Sequence, residues 1–164
     1  MIGLAAFPKT GSAPAWAIPA SPAGSEIGAE NDVGDAAIRP QPSLRILVVE
    51  DEILTADYLE HLLVELGHEV CGHATSVAAA LRLADLHRPD LVLMDVNLGR
   101  GGDGIEAAKQ ILEQFSIRSL FVTAYGDRVT LSRVQSVGPA GIVLKPFDKQ
   151  RLGDAIAGAL GGSN

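Results

Sequence analysis

The chain has 164 residues, of which 47% are apolar, and a net charge of −7. That length suits one ordinary domain with a real core rather than two, and the acidic balance disfavours unspecific binding to nucleic-acid backbones or anionic membranes. A single cysteine, Cys71, excludes a disulfide framework and reads as a small thiol in a reducing compartment, and no apolar run is long enough to span a bilayer.

Residues 1–43 are rich in Ala, Pro, Gly and Ser and show no sustained period. Pro8, Pro14, Pro19, Pro22, Pro40 and Pro42 would interrupt any helix there. The stretch reads as a disordered tail, with the domain proper over 44–161. Ile2 to Phe7, followed by Ala15-Trp16-Ala17, looks faintly like a signal peptide. The apolar run is short and no basic residue precedes it, so the chain is read as cytoplasmic. An over-long gene start, or Phe7 and Trp16 acting as anchors for a partner, are the alternatives.

From Leu44 the chain alternates between two periods. Leu44–Val49 is a short apolar run ending in acids, as in a buried strand. Over 52–66, Ile53, Leu54, Tyr58, Leu62, Leu63 and Leu66 fall at helical spacing, and Gly67 stops the helix. His68–Gly72 predicts a second strand. Ser76 looks like an N-cap for a helix carrying Val77, Ala80, Leu81, Leu83, Ala84 and Leu86, which Pro89 ends. Asp90–Asp95 predicts a third strand. A glycine-rich loop then enters a helix with Ile105, Ala108, Ile111 and Leu112, for which Asp103-Gly104 reads as the entry cap. Ser119–Thr123 is a fourth strand, and 127–137 a weaker helix bounded by Gly138-Pro139. Gly141–Leu144 is a fifth strand, and Asp148 caps a last helix ending near Leu160.

These five strand–helix units predict an α/β, doubly wound, parallel sheet with right-handed crossovers. The strands are apolar throughout, as expected when helices cover both faces. Chemistry in such sheets gathers at the carboxyl ends of the strands. Glu50 and Asp51 end strand one, Asp95 ends strand three, Thr123 ends strand four, and Lys145-Pro146 follows strand five. Three carboxylates on one edge repel unless a cation joins them, and hard oxygen ligands suit Mg2+. A Mg2+ ion, a lysine and a free carboxylate together bind and accept a phosphoryl group. Taken singly, these residues have plainer readings. Glu50-Asp51-Glu52 suits a solvated helix start, Thr123 a strand, and Lys145 a surface charge. His61, His68, His73 and His87 show no metal-ligand spacing and read as surface or half-buried side chains.

Val48-Val49-Glu50-Asp51-Glu52, Leu93-Met94-Asp95-Val96-Asn97, Val122-Thr123-Ala124 and Val143-Leu144-Lys145-Pro146-Phe147, in that order, resemble the two-component response regulator receiver family over about residues 44–160. The resemblance implies a flavodoxin-like sheet of strand order 2-1-3-4-5. Asp95 would be the phosphoacceptor. Mg2+ would be held by Asp51, Asp95 and the backbone carbonyl of Asn97, with Glu50 acting through water. Lys145 and Thr123 would hold phosphoryl oxygens, and the bond before Pro146 would be cis. The resemblance further implies a histidine kinase or histidine phosphotransfer protein as phosphoryl donor. Output would be contact with a downstream protein, or relay, without direct DNA or membrane binding.

The chain departs from the family's pattern in three places. The loop Val96–Gly104 lacks the usual proline, is one residue longer, and its glycines predict flexibility. Ile142 stands where Tyr or Phe serves as an aromatic switch. Tyr125 follows Thr123 by two residues, so Phe121–Gly126 resembles in part a Phe-Ala-Thr-Gly-Tyr subgroup whose members often stand alone in stress signalling. Tyr125 is therefore a candidate replacement for the missing ring. Two other function classes compete. One is a phosphorylation-independent interaction module on this fold, which the complete acid, threonine and lysine set opposes. The other is an aspartate-nucleophile phosphatase, which commonly carries a second Asp where this chain has Asn97. The chain is accordingly read as a signalling module and not as a classical enzyme.

Overall fold

A computed structural model describes residues 42–161. The expected tail over 1–43 lies, through Gln41, outside the described residues. The elements alternate as β1 (Arg45–Val49), α1 (Ile53–Glu65), β2 (Glu69–Ala74), α2 (Val77–His87), β3 (Leu91–Met94), α3 (Gly104–Phe115), β4 (Ser119–Thr123), α4 (Arg128–Ser136), β5 (Gly141–Leu144) and α5 (Lys149–Gly161). All strand pairs are parallel, in the order β2-β1-β3-β4-β5. This is the doubly wound sheet that the alternation of periods predicts.

Strand alternation divides the core between the two faces. Ile46, Val48, Leu93, Leu120, Val122 and Val143 pack with Leu59, Leu63, Leu152 and Ile156, so α1 and α5 cover one face. Leu47, Val49, Val92, Met94 and Phe121 pack with Ala80, Ala84, Ile105, Ala108, Ile111 and Val134, so α2, α3 and α4 cover the other. Every residue of β3 and β4 is buried, which explains their unbroken apolar runs.

The stripe that α1 buries differs from the one its apolar spacing suggests. Ala56, Leu59, Leu62 and Leu63 face the sheet, whereas Ile53, Leu54 and Tyr58 are exposed. The helix starts at the carboxyl edge, where β1 has already ended, so its first turn has no strand beneath it. β2 also runs two residues past Gly72, because its pairing with β1 continues to Val49↔Ala74.

Helix caps follow local chemistry. Ser76 Oγ accepts from the Ala79 amide at 3.2 Å, Asp103 Oδ1 from Ile105 at 2.9 Å, and Asp148 Oδ1 from Arg151 at 2.8 Å. The loop between β3 and α3 folds back on itself through an antiparallel bridge between Asn97 and Asp103, and it buries Leu98. Its glycines answer to close packing, a duty the expectation of flexibility does not contain. A Cβ on Gly104 would overlap the Asp95 carbonyl oxygen, and one on Gly101 would overlap that of Thr75. No helix among the described residues is long and apolar enough to cross a membrane.

Candidate functional site

The sheet changes winding direction between β1 and β3, the crevice where open α/β sheets place their ligands. Glu50 and Asp51 leave β1 on one side of it, and Asp95 leaves β3 on the other. Backbone ties continue past the strand ends, with Asp95 N–H donating to the Val49 carbonyl and Glu50 N–H to that of Ala74, both at 2.9 Å. The three carboxylates therefore meet, with ligand oxygens all within 4.8 Å of one another.

Glu50 is only 2% exposed and Asp95 9%, while Asp51 faces solvent. Lys145 reaches the pair from the end of β5, placing Nζ 2.7 Å from Glu50 Oε2 and 3.1 Å from Asp95 Oδ2. The Lys145–Pro146 bond is cis. Burial pushes the Glu50 carboxyl above its ordinary value, and the opposing pull of Lys145 does not cancel it. Burial works to lower Lys145, but its bonds to Glu50 and Asp95, with their charges, outweigh this and hold the ammonium above its ordinary value. One ammonium against three carboxylates leaves an excess of negative charge. The donors are all hard oxygens, and the set is open to solvent on the Asp51 side. This is the chemistry of a small divalent cation such as Mg2+.

Thr123 ends β4 fully buried. Its Oγ accepts from the Tyr125 amide at 3.1 Å, and its carbonyl accepts from the Lys145 amide at 2.9 Å. A hydroxyl that accepts in this way keeps its own hydrogen for a further acceptor. Asn97 turns its side-chain oxygen to the Gly99 amide at 3.0 Å and donates from Nδ2 to the Tyr125 hydroxyl at 3.2 Å. Its own amide lies 3.4 Å from Asp95 Oδ1. Tyr125 is 45% exposed and lies beyond the end of β4, so strand alternation does not place it; the bond from Asn97 does. Glu50, Asp51, Asp95 and Lys145 thus converge on one edge, with Thr123 tied to the Lys145 and Tyr125 amides and Asn97 bonded to the Tyr125 hydroxyl.

Three contacts here were not read from the sequence. Asp103, besides capping α3, forms an ion pair with Arg133 of α4. Gly99, at φ +54, packs against Asp51 so closely that a Cβ would stand 2.7 Å from Oδ2. His73 approaches the Glu50 carbonyl oxygen to 2.9 Å through Nε2. Such pairings depend on how elements distant in sequence come together, which no local spacing encodes. Cys71 is half-buried, and burial pushes its thiol up from the ordinary value.

Residues 46–157 match the family model described as the response regulator receiver domain. The chain is 38% identical over 112 residues to the transcriptional regulatory protein PdtaR of Mycobacterium tuberculosis, covering 68% of this chain and 54% of that protein. It is 38% identical over 117 residues to the phyllosphere-induced regulator PhyR of Methylorubrum extorquens, covering 70% of this chain and 43% of that one. It thus spans about half the length of these two curated relatives. Among solved structures, the receiver (REC) domain of the Erythrobacter litoralis PhyR response regulator superposes with a TM-score of 0.66 at 36% identity, covering 74% of this chain and 93% of that domain.

Proposed function

The chain belongs to the response regulator receiver domain family of two-component signalling, and from that premise we propose that Asp95 is its phosphoacceptor. Receiver domains are signalling modules rather than classical enzymes. The observation that carries the assignment is the position of the Asp95 carboxylate, at the switch point beside Glu50 and Asp51 and within 3.1 Å of the Lys145 ammonium.

In this reading an Asp95 oxygen attacks phosphorus in a phosphohistidine of a histidine kinase or histidine phosphotransfer protein. The new P–O bond gives an acyl phosphate. The P–N bond breaks, and its electron pair returns to the donor's imidazole. Mg2+ would be held by Asp51, Asp95 and the Asn97 backbone carbonyl, with Glu50 engaged through water. When bound, it supplies positive charge to the transferring oxygens. Lys145 exchanges its bond with Asp95 for one to a phosphoryl oxygen, keeping Glu50 as its anchor. Thr123 offers its free hydroxyl hydrogen to another. Output passes by contact with a downstream protein, or by relay.

Ile142 is half-buried against the α2–α4 face and supplies no ring. Tyr125 then serves as the aromatic that reports the change, since both Thr123 and Asn97 hold it. The test is incubation with acetyl phosphate and Mg2+. One phosphoryl group should appear by mass spectrometry in the wild type and none in Asp95→Asn. Equal incorporation in the variant would refute the assignment. Absence of incorporation in the wild type, from acetyl phosphate and from kinases alike, would favour a phosphorylation-independent interaction module.

A further inference from the structure

The β1–β2 ladder ends one step short of the acidic cluster. Val49 pairs with Ala74, and the Glu50 amide donates to the Ala74 carbonyl at 2.9 Å. In a parallel ladder the next bond runs to the Glu50 carbonyl from the amide two residues beyond Ala74. That residue is Ser76, and the chain has already turned there to cap α2. The Glu50 carbonyl instead meets the ring of His73, whose Nε2 lies 2.9 Å away. A carbonyl only accepts, so Nε2 carries the proton, and the side chain supplies the rung that the backbone leaves out.

That rung lies on the peptide joining Glu50 to Asp51. Glu50 and Asp95 are held in place by Lys145. The Asp51 carboxylate has no hydrogen bond or ion pair among the described residues, and Gly99 packs closely against it. Its direction therefore follows from the orientation of its own backbone, which is set at the Glu50–Asp51 peptide. We infer that His73 is a positioning residue for the cation site: by fixing the Glu50 carbonyl it aims Asp51 at the ion that Glu50 and Asp95 share. The inference rests on the Mg2+ site proposed above.

The full-length chain is titrated with Mg2+ and followed by amide NMR shifts, as wild type, His73→Ala and His73→Gln. Loss of one neutral hydrogen bond should weaken Mg2+ binding about three- to tenfold in the Ala variant. The Gln variant carries an amide N–H near the same place and should recover most of that loss. In acetyl phosphate reactions the half-saturating Mg2+ concentration should rise by the same factor in His73→Ala, and saturating Mg2+ should restore the rate. A purely structural role would lower the thermal midpoint without shifting the Mg2+ dependence, and would overturn the inference. So would an unchanged dissociation constant in His73→Ala, or a Gln variant no better than Ala. If the wild type itself binds no Mg2+, the cation site falls first and this inference with it.

Discussion

Replacing Asp51 with Asn should stabilise the metal-free fold and remove most of its response to Mg2+. The three carboxylates hold ligand oxygens within 4.8 Å of one another. At that distance two unit charges repel by about 0.9 kcal/mol in water and by about 3.5 kcal/mol at an effective dielectric near 20. Asp51 is exposed, so the lower figure governs. It faces two carboxylates, and no described cation lies in hydrogen-bond reach, whereas Glu50 and Asp95 share Lys145. Neutralising it should therefore return about 1–2 kcal/mol to the metal-free protein, the range being set by solvent screening. Asn keeps the shape packed against Gly99, so little else changes. Mg2+ at about ten times its dissociation constant should stabilise the wild type by about 1.4 kcal/mol, and the variant should forgo most of this. Urea unfolding in chelator and in Mg2+ reads both effects. The variant should lead in chelator, and its lead should close in Mg2+. An Asp51→Asn variant no more stable than wild type in chelator would show that these carboxylates do not repel as described, and one gaining as much from Mg2+ would show that Asp51 does not share the ion.

Gly104→Ala should cost roughly 3 kcal/mol in the same urea assay, because its Cβ would overlap the Asp95 carbonyl, which is backbone and cannot swing aside. Burial raises the Glu50 pKa, so its favourable contribution is full below 4.5 and is lost as pH rises through the higher folded value. Metal-free stability should then climb as pH falls from neutral toward 4.5, while Mg2+ affinity falls over the same interval; Glu50→Gln should flatten both profiles. Tyr125→Ala should abolish the beryllofluoride-induced NMR shifts across residues 124–140; shifts that persist at wild-type size would remove Tyr125 from the switch.

Much of this fold was legible because it is written in short periods. Apolar runs of strand length, helical stripes, and caps at Ser76, Asp103 and Asp148 each depend on residues a few positions apart. The strand-end rule then assembled Glu50, Asp51, Asp95, Thr123 and Lys145 without any contact being known. What escaped depends on chain paths beyond the ends of the elements. The first turn of α1 overhangs the sheet, so Ile53 and Leu54 carry the helical period without being buried. The β3–α3 loop suggested looseness by its composition, yet Gly101 and Gly104 are places where backbone passes against backbone. His73 gave no sign of a role, because its partner is a main-chain oxygen 23 residues earlier.

The bond from Lys145 to Glu50 spans 95 residues of sequence and reaches past β4 and β3 to the end of β1. During synthesis from the amino terminus, the three acids are complete long before their cation arrives. A nascent or truncated chain ending before β5 carries Glu50, Asp51 and Asp95 without the lysine, and their mutual repulsion works against the backbone ties that join the ends of β1 and β3. β5, the last strand among the described residues, is thus the one that brings a positive charge to this edge.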